Sequence, residues 1–220
     1  LFGTHIAFST IVPRLPLIHI PNGLYSVVSK CNNNEFLFNS TDKFELYIQH
    51  LIACKKMLGF TLYDIVCMSN HVHELYRVPE KVTIADILWN VKGKFSKKYN
   101  KKFGRTGHFW VNRSYYRIVE NEEYAFNTMN YFHWNPVKAG LVTKPEDWPY
   151  SGYRFHVLGK KNELISQLLD PLPNYVTLKE DKRIQLSVSK ILQNKSTRYL
   201  GSIKFRRNMR TYSHQVPDSL

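Results

Sequence analysis

Hydrophobic and polar positions divide the chain into segments of two periods. LYSVVSK, entered through a Pro21-Asn22-Gly23 turn signal, is rich in β-branched and aromatic residues and predicts a first strand at about 24 to 30. CNNNEFLFNS then reads as a loop. A helix is expected next, with Thr41 as its N-cap and Asp42 and Glu45 in its first turn. Phe44, Ile48, Leu51 and Ile52 fall on one face, and Gly59 is the stop. FTLYDIVCM and HVHELYRV are two β-rich runs separated by Ser69-Asn70, which predicts a hairpin.

From Thr83 to Phe103, apolar residues recur at Ile84, Ile87, Leu88, Val91, Phe95, Tyr99 and Phe103, spacings of three and four that predict one helical stripe. The opposite side is a ridge of Lys94, Lys97, Lys98, Lys101 and Lys102. FGRTGH breaks this helix, FWVNRSYYRIV predicts a fourth strand, and residues 121–135 predict a helix ended by Pro136. A Pro/Gly-rich wrap follows. The sum is β-α-β-β-α-β-α, an α+β fold with an antiparallel-rich sheet and helices packed on one face.

Charge adds a partner class. The 220 residues carry a net charge of +14, and the excess is unevenly placed: residues 1–80 hold six basic and six acidic side chains, residues 81–220 hold 25 and 11. Between Ile87 and Val119 there are nine Lys/Arg and no acid, and the same holds from Lys182 to Pro217. Concentrated fields of one sign suit an acidic polymer, because each neutralised phosphate releases condensed counterions. A solvated basic face is the competing reading, although solubility usually goes with interspersed signs. Three cysteines at irregular spacing are too few for a disulfide framework and read as reduced thiols of a cytosolic protein. No stretch reaches the ~20 apolar residues that span a bilayer, and LFGTHIAFSTIV lacks the basic start of a signal peptide. Residues 1–12 are assigned to a non-core segment.

Candidate chemistry begins at HVH. Alternate side chains of a strand share a face, so His71 and His73 can converge on one ion, with Val72 and Glu74 on the other side. The pair alone is also what an exposed strand carries by chance; a metal site needs a further donor. In the helix at 121–135, Ala125, Phe126, Met129 and Phe132 form the apolar side, while Tyr124, Thr128, Tyr131 and Asn135 line up elsewhere, the last two one turn apart.

MSNHVHELYRV resembles the M-P-N-H-V-H-L-L signature of the single-tyrosine HUH transposases. GRTGHFWVNRSYYRIV, YFHWNPVKAGLV and DWPYSGY are similar to their REP-associated tyrosine branch, in the same order, over about Pro13 to Tyr153. The resemblance implies a ferredoxin-like or RRM-like HUH core at 13–155, followed by a basic extension at 156–220. By position, His71 and His73 would be metal ligands, Tyr131 the nucleophile and Asn135 the third ligand. Arg105, His108 and Arg113 would fall in a DNA-contacting loop. A divalent ion, magnesium or manganese, and single-stranded DNA with hairpins are implied, in a bacterial cytoplasm beside the nucleoid. The lysine ridge and Arg206 and Arg207 of KFRRNMR are further candidate DNA contacts, and Phe109, Trp110, Tyr115 and Tyr116 candidate stacking surfaces. Whether one copy or two act is left open by the sequence.

The chemistry these residues would perform is cleavage and rejoining of DNA. An ion would act as a Lewis acid on the scissile phosphate, and Tyr131, whose free pKa lies near 10, would need a nearby cation, for which the lysine ridge is the expected source. Two departures from the signature stand out: Ser69 in place of Pro, and Glu74 in place of an apolar residue on the packing face. A buried carboxylate there is costly unless paired, so either a basic group reaches it, the strand end is exposed, or the site is weakened. Two alternatives follow, a catalytically silent protein that recognises structured repeats in DNA, and a hydrolase in which HVH activates water.

Overall fold

A computed structural model describes residues 17–111, 113–166 and 198–215, with side chains to 209. Five strands form the sheet: β1 (Leu24–Lys30), β2 (Thr61–Cys67), β3 (His71–Arg77), β4 (Tyr115–Val119) and β5 (Tyr199–Leu200). Their order is β2-β3-β1-β4-β5. The first four are antiparallel, and β5, supplied by the basic extension, joins β4 in parallel. β2 and β3 form the expected hairpin, closed where Met68 donates to His71 O at 2.8 Å.

α1 (Thr41–Leu58) starts one residue earlier than the capping pattern suggests, with Ser40 in the extended cap position and its hydroxyl on Asp42. Gly59 ends it in the left-handed region (φ 68°), where glycine carries no Cβ penalty. The long striped helix is in fact three pieces: α2 (Ile84–Leu88), a π-turn (Trp89–Lys94) and α3 (Phe95–Phe103). Thr83 opens α2 with a capping box, its Oγ1 accepting from Asp86 N at 3.1 Å. The fourth strand is shorter than expected. Phe109–Val111, Arg113 and Ser114 lie outside it, and Trp110 is tied to the sheet by a bridge to Cys31.

Helices cover both faces of the sheet, not one. On the first face, α1 and α3 bury a cluster of aromatic rings centred on Phe38, with Phe44, Tyr47, Phe95 and Phe109 5.5–6.0 Å away between centroids. Phe109 and Trp110 are 1% and 7% exposed within it, so these two expected stacking surfaces are core. On the second face lies α4 (Glu122–His133), begun by Asn121, whose Oδ1 accepts from Tyr124 N. Its Ala125, Met129 and Phe132 pack on Leu24, Val66, Leu75 and Val119 in a smaller apolar cluster.

Pro136 sits in the first turn of a short helix, α5 (Asn135–Lys138), where its missing N–H costs nothing. The wrap then runs along the outer edge of β2: Trp148 Nε1 donates to Cys67 O, Cys67 N to Tyr150 O and Gly152 N to Ile65 O. It leads into α6 (Tyr153–His156), and past β5 the last helix among the described residues is α7 (Ile203–Gln215). Among the described residues no helix is long and apolar enough to cross a membrane.

Candidate active site

The alternation of β3 sends His71, His73 and Leu75 toward α4, and Val72, Glu74 and Tyr76 toward α1. His71 Nε2 and His73 Nε2 stand 3.0 Å apart. The hairpin turn orients the first ring: Asn70 Oδ1 lies 2.7 Å from His71 Nδ1, so that nitrogen donates and Nε2 keeps its lone pair toward His73. Burial pushes the His71 imidazole down to about 4, with repulsion from Lys30 adding to it. His73 is driven well below the usual histidine range by deeper burial, then by His71, Lys30 and Arg117. Both rings are therefore neutral at pH 7, the form that donates lone pairs to a cation. His73 Nδ1 is buried without a hydrogen-bond partner.

α4 brings Tyr131 to this pair. Its ring centroid is 6.2 Å from that of His73 in an edge-on arrangement, while the neighbouring Phe132 packs on His73 at 4.7 Å. Tyr131 is half-buried, and Asn135, one turn on, donates through Nδ2 to Tyr131 O at 2.9 Å and to Phe132 O at 3.4 Å. These bonds tie its amide nitrogen to the helix and leave Oδ1 outside them. Burial pushes the Tyr131 phenol up, and the guanidinium of Arg117 opposes that shift. Lys138 Nζ lies 4.6 Å above the Tyr131 ring.

The cations serving Tyr131 are therefore Arg117, which is only 4% exposed, and Lys138. The expected source, the lysine ridge, is on the wrong layer. Lys94, Lys97, Lys98, Lys101 and Lys102 are all exposed on the π-turn and α3, which pack on the first face; Lys94 and Lys98 influence His50 of α1, and Lys102 influences Asp42. Arg117 lies within the GRTGHFWVNRSYYRIV stretch, where no role was assigned to it. Strand alternation places it on the same face as His73 two strands away.

The other expected DNA contacts scatter. Arg105 holds both oxygens of Glu35 at 3.1 Å and donates to His108 O, so it fastens the loop before β4 to the 32–35 turn. His108 and Arg113 are exposed on that loop, Arg206 is half-exposed and Arg207 exposed on α7, and Tyr115 is 42% exposed. Tyr116 is half-buried, with its hydroxyl accepting from Ile18 N at 3.1 Å.

One oxygen of Glu74 is answered by its surroundings, while Oε2 is buried without a hydrogen-bond partner. The residue is fully buried, and Tyr47 Oη donates to its Oε1 at 2.6 Å. Burial pushes its carboxyl up to about 7, while the phenols of Tyr47 and Tyr76 and the buried Lys92 ammonium pull it back. It lies across the sheet from the imidazoles. A second buried group, also unforeseen, anchors α4 itself: His133 Nε2 is 3.1 Å from Asp64 Oδ1 of β2, and the wrap adds His156, whose Nε2 is 2.8 Å from Tyr63 O. The backbone passes so close here that a Cβ on Gly152 would sit 1.9 Å from Asp64 Oδ1.

The donor set suits a divalent ion. Two neutral imidazole nitrogens 3.0 Å apart match neighbouring ligand positions about 2.1 Å from one centre, and an amide oxygen is a compatible third donor. Among the described residues, no group of three or more His, Cys, Asp and Glu side chains could hold a metal ion.

Comparison with known proteins converges on one group. The family model described as "Transposase IS200 like" matches residues 20–134. A REP-associated tyrosine transposase of Haemophilus influenzae is 28% identical over 105 residues, 43% of this chain and 59% of that protein. One of Escherichia coli is 24% identical over 114 residues, 51% of this chain and 66% of that protein. The matches thus span less than two thirds of either relative's length. A solved structure of a REP-associated tyrosine transposase bound to a REP hairpin superposes with a TM-score of 0.57 at 19% identity, covering 72% of this chain and 99% of that one, which shows a shared fold.

Proposed function

The chain belongs to the family of IS200-like transposases, and from that premise we propose that it cuts and rejoins single-stranded DNA beside a hairpin, with Tyr131 as the nucleophile. The observation that carries this reading is the juxtaposition of one phenol, two neutral imidazoles and a buried guanidinium on one face of the sheet. A divalent cation, magnesium or manganese, held by His71, His73 and Asn135, would supply Lewis-acid polarisation of the scissile phosphate.

The chain's own residues do the rest. Arg117 favours the phenolate of Tyr131 against the cost of burial and offers a donor fork to a phosphate oxygen. Tyr131 Oη forms the new bond to phosphorus in line with departure of the 3′ oxygen, giving a 5′-phosphotyrosyl link and a free 3′-OH. A 3′-OH attacking that link restores a phosphodiester and releases the phenol, so strands are rejoined without ATP. Exposed Lys94, Lys98, Lys101 and Lys102, on the far layer, are assigned to duplex or stem backbone rather than to the reacting phosphate. Hairpin DNA as partner is supported by the ligand of the solved structure of shared fold.

Glu74 supplies no argument for a silent site, since it is paired to Tyr47 on the opposite face. The test is incubation of an end-labelled hairpin oligonucleotide, bearing single-stranded flanks, with manganese or magnesium. A denaturant-stable protein–DNA adduct should form, and Tyr131→Phe should abolish it. Cleavage that survives Tyr131→Phe and leaves a free 5′-phosphate would overturn the reading in favour of water activation.

A further inference from the structure

Arg117 and Lys138 attend Tyr131, but a further cation on the same face of the sheet, Lys30, has no part in the chemistry described so far. Register fixes its place. β1 and β3 pair Lys30 with His71, Val28 with His73 and Ser26 with Leu75, and β4 sets Arg117 beside Ser26. Paired residues of neighbouring strands share a face, so Lys30, like Arg117, points to the side of α4. Along β1 the levels run from Arg117 through His73 to His71 and Lys30, and Ser26 and Lys30 lie roughly 13 Å apart at normal strand rise.

The electrostatics repeat this order. Lys30 opposes the charged form of both imidazoles, Arg117 opposes that of His73, and Tyr131 feels Arg117. The Tyr131 ring lies edge-on to His73 as well. The phenol therefore approaches the imidazole pair from the Arg117 end, and Lys30 stands at the opposite end. It is available to act there: its side chain is exposed, and among the described residues it makes no salt bridge. Its backbone is held on two sides, by β3 and by Val111 N, which donates to Lys30 O at 2.9 Å. A long side chain rises from a fixed base.

Displacement at phosphorus sets the entering and leaving oxygens on opposite sides. With the phosphate over His71 and His73 and Tyr131 entering from the Arg117 end, the 3′ oxygen departs toward Lys30. We propose that Lys30 is the catalytic residue of the leaving side, its ammonium donating a hydrogen bond to the 3′ oxygen as that oxygen parts from phosphorus; this rests on the reading of the protein as a transferase acting through Tyr131. As the bond from Tyr131 Oη to phosphorus forms, the P–O3′ bond breaks and its electron pair stays on O3′. Lys30 offsets the growing charge until water supplies the proton of the free 3′-OH. In rejoining, the same ammonium holds the attacking 3′-OH in line, the hydroxyl proton passes to water, and Tyr131 leaves phosphorus. A donor aimed at charge that develops in the transition state raises rate rather than affinity.

The test measures single-turnover adduct formation, at saturating protein, on two hairpin oligonucleotides that differ in one atom at the linkage the parent cuts: the natural 3′ oxygen, or sulfur in its place. A thiolate departs without help. Lys30→Ala should slow the oxygen substrate by roughly 100-fold or more and the sulfur substrate little, with binding by fluorescence anisotropy nearly unchanged. Lys30→Arg keeps a charged donor and should retain most of the rate. Equal slowing on both substrates, the mark of a phosphate or positioning contact, overturns the proposal, as does parental speed on both. The two readings separate. Adduct that needs Tyr131 but ignores Lys30→Ala sinks the proposal alone, whereas no adduct from the parent on either substrate sinks the transferase reading and the proposal with it.

Discussion

The two faces of β3 carry opposite burdens. Toward α1 and α3, Val72 and Tyr76 join a continuous aromatic core. Toward α4, His71 and His73 meet a thin apolar cluster and two cations. A strand changes face at every residue, so one seven-residue segment separates stability from chemistry without any separation in sequence. Glu74, between a structural valine and a structural tyrosine, belongs to the first group even though it follows the histidines directly.

Substitutions can break or sharpen that division. Phe38→Ala removes the ring at the centre of the aromatic core and should lower stability by about 3 to 5 kcal/mol, read by urea unfolding, while the folded fraction still forms adduct at the parental rate. His71→Ala should do the opposite: adduct formation falls on the order of 10³-fold, and the unfolding midpoint moves by less than about 1 kcal/mol because the ring is only partly buried. If His71→Ala also unfolds the protein, the faces are not independent.

Arg117→Gln should slow single-turnover adduct formation by roughly 10- to 100-fold, whereas Lys98→Ala, on the other layer, leaves that rate unchanged and acts only on binding. Smallest is Tyr47→Phe, which takes the phenol from Glu74 and should cost about 1 to 2 kcal/mol. Its pH dependence has a definite sign. The folded carboxyl is already pushed from its ordinary 4.5 up to about 7, so Glu74 favours the folded state below 4.5 and loses that contribution as pH rises through 7. Removing the phenol pushes it further up, and the penalty measured at pH 8 should exceed that at pH 5.

Local pattern made most of the fold legible. Period-two and period-four spacing placed β1, the β2–β3 hairpin, α1 and α4 to within a residue or two, since each element buries one face of its own sequence. The π-turn was hidden because Val91, Phe95, Tyr99 and Phe103 keep a spacing of four through it, a stripe that a slightly wider turn satisfies as well as a regular one. Phe109 and Trp110 looked like strand, yet they are loop residues drawn inward by Phe38. In the site, the imidazole pair and Tyr131 were legible only together with the wider resemblance; alternation alone gave a shared face and no partner. The Asp64–His133 contact and the Glu35 grip on Arg105 join residues 69 or 70 positions apart, and Arg117 of β4 acts on Tyr131 of α4. Non-local pairings of that kind leave no periodic trace.

The contact between His133 and Asp64 has a bearing on the aim of the nucleophile two residues away. A helix that slipped by one position would advance about 1.5 Å and rotate its side chains by about 100°, swinging the phenol clear of the ring it now faces. Only one setting of that screw seats an imidazole on a sunken carboxylate, so the threading of α4 is fixed by a residue that never meets DNA. A genetic screen for inert variants should therefore recover Asp64 and His133 alongside the residues that handle phosphate.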